Sequence, residues 1–184
     1  DNADYSGKGK MGTYMVFDTT TYKKVHEAKD SNEPIRAVRF SPDGRLLAVG
    51  SEDTKIIIYN VKDNFKNRAN IMSHRAPIVN IDFSTDGMFI MSNDSTRRTI
   101  YTETTAGLNV PSAASLRDEK WATYHSTVGW SMQGLWKCQP PWVDLQCSQR
   151  SWNSILTCTG NSDGRLFVTH YPAQDRVPFV DVCA

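Results

Sequence analysis

Apolar residues in this chain fall in short runs broken by Gly, Pro, Asp and Asn, and two of the runs repeat each other 43 residues apart. Ile35, Val38 and Phe40 return as Ile78, Ile81 and Phe83, and the Ser41-Pro42-Asp43-Gly44 that follows is echoed by Ser84-Thr85-Asp86-Gly87. Runs of this length between turn residues predict β-strands. A first pair covers Thr13–Asp18 and Tyr22–Glu27. A set of four covers Ile35–Phe40, Leu46–Gly50, Lys55–Val61 and Asn64–Ile71. A set of three covers Ile78–Phe83, Met88–Ser92 and Arg97–Glu103. The last four are Val143–Ser148, Ile155–Gly160, Arg165–Tyr171 and Phe179–Ala184. Ile56 to Tyr59 are apolar without alternation, as in a strand covered on both faces.

A period in the low forties with several short strands per unit marks a β-propeller blade. On that period the chain divides into the end of a blade (1–30), a blade (31–73), a second (74–112) and a third (113–184) with the start of a next strand. The third breaks the rhythm, because an aromatic insertion (113–141) carrying Trp121, Tyr124, Trp130 and Trp136 delays its inner strand. The fold class is all-β: an incomplete propeller of about three and a half four-stranded blades, where closed rings use about 4–8. The chain opens Asp1-Asn2-Ala3-Asp4 without Met and has too few blades to close a ring, so the expectation is a piece of something longer whose remaining blades pack against it.

Charge narrows the partners. With 21 basic and 20 acidic residues in 184, the chain is too balanced for global steering to nucleic acid or membrane. No apolar run approaches the roughly 20 residues that span a bilayer. Cys138, Cys147, Cys158 and Cys183 form no C-x-x-C pair and no His stands at zinc spacing, so no metal or cofactor is expected, and buried or half-buried free thiols are. Gly7-Lys8-Gly9-Lys10-Met11-Gly12 is a literal G-x-G-x-x-G, but it precedes a strand where a nucleotide site needs a helix, so it reads as a turn. His26, His74, His125 and His170 are scattered. No nucleophile with an orienting acid is recognisable, and no catalytic residue is assigned.

Gly50-Ser51-Glu52-Asp53-Thr54-Lys55-Ile56-Ile57-Ile58-Tyr59 resembles the WD40 pattern Gly-Ser-x-Asp-x-Thr-Ile-x-Val-Trp, with Tyr59 for the Trp. His74 takes the place of the His in the family's Gly-His dipeptide. The corresponding position of the earlier blade is Ser31, and in the second blade the Asp and Trp positions are Thr96 and Thr102, so the blades are degenerate. A narrower resemblance spans about Gly12 to Pro172. Trp121-Ala122-Thr123-Tyr124, Gly129 and Gly134-Leu135-Trp136 are similar to a segment of the echinoderm microtubule-associated protein-like family, as are Asp144-Leu145-Gln146, Arg150-Ser151, Phe167 and Tyr171-Pro172. The family's acidic turn before the third inner strand is reduced here to Asp144 after Pro140-Pro141-Trp142-Val143.

The resemblance implies a tandem propeller pair in the parent, with this chain a fragment of the second, and a non-enzymatic cytoskeletal protein of the cytoplasm that binds tubulin, microtubules or other cytoskeletal proteins, in spindles or the ciliary axoneme. It also implies structural roles within blades for Asp53, Tyr59, His74, Trp121 and Trp136. Lys62, Lys66, Arg68, Arg75, Arg97 and Arg98 form a basic rim able to attract acidic tails through screened contacts, or an ordinary solvated edge. The aromatic insertion reads either as a partner groove or as a seal between blades, and the seal fits how often Trp is buried. The alternative function is a general WD40 scaffold, an adaptor in a signalling or ubiquitin-ligase assembly. Such an adaptor has no reason to carry the Trp121–Trp136 insertion.

Overall fold

A computed structural model describes residues 11–138, 142–175 and 179–182. Most of the G-x-G-x-x-G turn, Pro140-Pro141, Cys183 and the end of the last expected strand lie outside the described residues, as does the side chain of Cys138. Among the described residues, thirteen strands form four antiparallel sheets. The first pairs β1 (Thr13–Phe17) with β2 (Lys24–Lys29). The second runs β3 (Ile35–Phe40), β4 (Leu46–Ser51), β5 (Ile56–Asn60) and β6 (Lys66–Ile71). The third holds β7 (Ile78–Phe83), β8 (Phe89–Asp94) and β9 (Thr99–Glu103). The fourth runs β10 (Leu145–Arg150), β11 (Leu156–Asn161), β12 (Leu166–His170) and β13 (Phe179–Val182). Each strand pairs with its sequence neighbours, so every sheet is a meander. The whole is an unclosed portion of a β-propeller.

Three apolar layers lie between the four sheets. Tyr14 packs with Leu47, Val49, Tyr59 and Phe65. Ala48, Ile56 and Ile58 of the second sheet meet Ile78, Ile81, Phe83 and Ile90 of the third. Met91 and Tyr101 of the third meet Leu145 of the fourth through Leu116, Trp121, Tyr124, Met132 and Leu135 of the insertion. The unalternating pattern of β5 follows: Ile58 and Ile56 face one neighbour, Tyr59 the other, and all three are buried.

The same hydroxyl builds each turn that follows an inner strand. Ser41 Oγ donates to Asp43 at 2.6 Å, and the Leu46 amide donates back to Ser41 Oγ at 2.9 Å. Ser84 and Asp86 do the same at 2.6 Å, with the Phe89 amide at 2.9 Å. Ser151 and Asn153 repeat it at 2.7 Å, with the Leu156 amide at 2.9 Å. Gly44 and Gly87 supply the positive φ these turns need (68° and 72°), and Ser154 adopts it at 57° in the third. The side-chain hydrogen bonds hold both Asp43 and Asp86 below the usual carboxylate range, the serine hydroxyl being the main cause.

Three expectations change. β9 begins at Thr99, so Arg97 and Arg98 belong to the preceding turn, Arg97 at φ 66°. Among its described residues the insertion has three short helical segments, two 3-10 turns (Ala113–Leu116, Trp130–Met132) and α1 (Gln133–Cys138), which strand-and-turn patterning did not suggest. Cys147 is exposed where a buried or half-buried thiol was expected, because its face of β10 is uncovered among the described residues. Cys158 is half-buried, and burial pushes its thiol up.

Candidate functional site

The fittings that lock the blades were only partly legible. Tyr59, in the place of the WD40 Trp, donates its hydroxyl to Asp30. Burial, and then that bond, push its phenol far up, so it stays a neutral donor. Asp53 serves its own turn instead. It accepts the Lys55 amide at 3.1 Å, and its carboxylate lies 3.7 Å from Lys55 Nζ. The residue that answers Tyr59 is thus 29 positions upstream, where only the fold brings it.

His74 lies at the entry to the third sheet, buried. Its Nδ1 is 2.9 Å from Asp94 and its Nε2 is 2.7 Å from Ser92 Oγ. An ionised carboxylate only accepts, which puts the proton on Nδ1 and leaves Nε2 to accept from the serine hydroxyl. Burial lowers the imidazole below its ordinary value, and bonds from Thr96, His74 and the Arg98 and Thr96 amides hold Asp94 low despite its own burial. The connectivity Ser–His–Asp is that of a hydrolase triad. Here all three side chains are sealed in the blade, so no substrate reaches Ser92. The arrangement is a brace.

A second brace has Asp82 at its centre, a residue that sequence reasoning missed. Its side chain is fully buried mid-strand in β7 and is met entirely by the insertion. Thr123 Oγ1 donates at 2.7 Å, the His125 amide at 3.0 Å, the Ser126 amide at 3.1 Å and His125 Nδ1 at 2.9 Å. The segment also extends the third sheet: Ser84 pairs with Trp121, the Thr85 amide donates to the Lys120 carbonyl at 2.7 Å and the Ala122 amide to Phe83 at 2.8 Å. Ser126 then reaches both ways, meeting Asn93 of β8 with its hydroxyl and accepting Ser148 Oγ of β10 on its carbonyl at 2.7 Å. The one available signal was an acidic residue inside an apolar inner strand, Ile-x-x-Ile-Asp-Phe.

Trp121 is buried against Tyr101, ring centroids 5.8 Å apart. Trp136 is half-buried, its Nε1 donating to the Thr127 carbonyl at 2.6 Å. The insertion therefore fills the junction between the third and fourth sheets. Beside it, a groove of about 780 Å³ opens between the Arg117–Tyr124 segment and the turn after β10.

The structure does not gather the six basic rim residues into one free patch. Arg97 donates to Asp144 at 2.5 Å with its guanidinium 5.1 Å from the Trp136 ring centre, joining the third sheet to the fourth. Arg68 Nε donates to the Thr104 carbonyl at 3.0 Å, joining the second sheet to the third. Lys62, Lys66, Arg75 and Arg98 are exposed and form no ion pair among the described residues.

Comparison with known proteins places this architecture. The family model described as the echinoderm microtubule-associated protein second β-propeller matches residues 7–182. Echinoderm microtubule-associated protein-like 1 of Mus musculus is 34% identical over 171 residues, 91% of this chain and 21% of the relative. Echinoderm microtubule-associated protein-like 3 of Homo sapiens is 32% identical, covering 88% of the chain and 18% of the relative. Echinoderm microtubule-associated protein-like 2 of Homo sapiens is 27% identical, covering 88% and 25%. The chain spans 18% to 25% of the length of these relatives. With the family match running nearly end to end and the blade-to-blade insertion in place, the chain belongs to the echinoderm microtubule-associated protein family, within its second β-propeller.

Proposed function

We propose that this chain is part of a non-enzymatic, microtubule-associated binding platform, acting in the cytoplasm on the cytoskeleton, including spindle and axonemal microtubules. The observation that carries the reading is the family match over residues 7–182. The structure is compatible with it in kind. The Ser92, His74 and Asp94 side chains are shut inside a blade, and the described residues contain no cluster of metal-binding side chains. What the fold offers a partner is a rigid, many-turned surface, which suits recognition by shape and charge. Exposed Lys62, Lys66, Arg75 and Arg98 supply cations for an acidic partner such as a tubulin tail, through contacts that salt screens.

The test is co-sedimentation of the full-length protein with stabilised microtubules across a salt series. Pelleting that weakens as salt rises supports the reading. Absence of pelleting even at low salt overturns it and leaves a general scaffold, to be pursued by identifying its protein partners.

A further inference from the structure

The fourth sheet turns a polar face to the insertion. Residues directly opposite each other in an antiparallel pair share a face. By register Ser148, Thr159 and Phe167 form one row across the sheet, Arg150, Thr157 and Thr169 form another, and Asn161 stands opposite Leu145. Ser148 and Arg150 donate to carbonyls of the insertion, so this is the face that meets it. To the apolar layer at this junction the strands of the fourth sheet give Leu145 alone among the described residues. The second sheet, by contrast, meets the third with Ala48, Ile56, Ile58 and Ile71. Thr157, Thr159 and Asn161 are buried, yet both threonine hydroxyls and both polar atoms of the Asn161 amide have no hydrogen-bond partner among the described residues.

Taking those four atoms out of water costs free energy that no bond repays, and parting the two surfaces recovers it. The bonds that do cross the junction run from Ser148 to Ser126, from Arg150 to Trp121 and Ala122, from Gly134 to Ala173 and from Arg97 to Asp144. Water replaces each of them when the surfaces separate, so each holds the junction only weakly. Between the second and third sheets, separation exposes isoleucine and phenylalanine instead, a loss that water does not offset. The 120–126 segment of the insertion is tied to the third sheet by the bonds that converge on buried Asp82. The groove already cuts into the junction, with Trp121 and Tyr124 on one wall and Arg150 and Tyr171 on the other. We infer that this junction is a built-in seam, the place where the propeller opens first, with residues 120–126 staying on the third sheet as the fourth sheet moves away. Opening there widens the groove while the apolar layers on either side of the second sheet stay closed. The seam follows from packing alone and is independent of what the platform binds.

Thiol accessibility in the full-length protein tests the seam. Thr159→Cys and Ala48→Cys each put a thiol at a fully buried position on the second strand of its sheet, one at the polar junction and one at the apolar junction. Both variants are alkylated with iodoacetamide under native conditions. Tandem mass spectrometry follows modification at residues 159 and 48 and separates it from that at the native cysteines. Local opening at the seam should make the Thr159→Cys variant react about tenfold faster, or more, than the Ala48→Cys variant, since buried groups react only when their surroundings open. Equal rates, or slower reaction at position 159, would overturn the inference. Should either thiol variant fail to fold, the combined Thr157→Val and Thr159→Val variant decides. It replaces two unpartnered hydroxyls with methyl groups of similar shape, so the melting temperature of the propeller should rise. An unchanged or lower melting temperature would show that the hydroxyls are not a weakness of the junction and would also overturn it.

Discussion

Asp82 and His125 lie 43 residues apart in the chain and meet through His125 Nδ1, 2.9 Å from a fully buried carboxylate oxygen. The separation matches the blade repeat, so the insertion occupies the position along β7 that a regular next blade would have to reach. The carboxylate is the anchor: two backbone amides, one hydroxyl and one imidazole converge on it. Removing it leaves all four donors inside the protein.

Asp82→Ala should therefore cost about 3–5 kcal/mol, the range for a buried charge-bearing network that loses one partner. Asp82→Asn, which keeps one acceptor oxygen, should cost less. The loss should concentrate in residues 120–126. Hydrogen exchange followed by mass spectrometry is the measurement, since it reads local opening inside a larger protein. Protection of that segment unchanged in Asp82→Ala would refute the anchoring role.

How far the sequence revealed this fold varies with the kind of signal. Strands were legible because Ile35, Val38 and Phe40 recur as Ile78, Ile81 and Phe83 and because Ser-x-Asp turns punctuate them. The short helices of the insertion were not, since Gln133–Cys138 is too brief to develop a 3.6-residue period. Side-chain bonds across blades were illegible for another reason. Asp30 answers Tyr59, and Asp82 answers His125, only once the chain is folded; nothing in local spacing distinguishes Asp30 from a surface acid, and the apolar strand around Asp82 marks it as buried without naming its partners. The setting of Arg97 was illegible likewise, because Asp144 and Trp136 come beside it only in the folded chain.

The His74 brace should make the protein acid-sensitive. Burial lowers the imidazole below 6.5 in the folded state, so unfolding takes up a proton there as the pH falls. Its contribution is fully present above 6.5 and is lost as pH drops through the folded value. Asp94 is also lowered, so its contribution is fully present above 3.8 and is lost as pH falls from there through its lower folded value. Urea midpoints measured from pH 7.5 to 5 should decline, and His74→Gln should flatten part of that decline while lowering stability at neutral pH. An identical slope in the variant would show that His74 does not carry it.

Gly134 is fixed by space rather than by backbone angle. A Cβ there would lie 1.7 Å from the Asp175 carbonyl oxygen, and the Gly134 amide itself donates to the Ala173 carbonyl at 2.7 Å. Gly134→Ala must push α1 away from the segment after β12, at a cost of about 1–3 kcal/mol or more. The Trp136 indole, bonded to Thr127, should then shift toward solvent, and tryptophan fluorescence should move to longer wavelength. An unshifted spectrum with unchanged stability would contradict this packing.

Arg97 and Arg98 are adjacent, but reversing their charge should have different consequences. Arg97 spans two sheets through Asp144, and because both side chains are about half exposed the pair is worth little, about 0.2–1 kcal/mol. A double-mutant cycle with Arg97→Ala and Asp144→Ala should return a coupling in that range. Reversal at Arg97 also sets two carboxylates against each other, so any loss of microtubule affinity would mix binding with a disturbed blade junction. Arg98 bonds internally through its backbone, its amide donating to the Asp94 carboxylate at 3.1 Å and its carbonyl accepting the Asp94 amide at 3.2 Å, while its exposed side chain forms no ion pair among the described residues. Arg98→Glu combined with Arg75→Glu is the cleaner probe. If the rim attracts an acidic partner, this pair should weaken co-sedimentation several-fold at low salt and make little difference at high salt, where the screening length shrinks to a few ångströms. Equal affinity at low salt would remove the rim from the binding surface while leaving the family assignment intact.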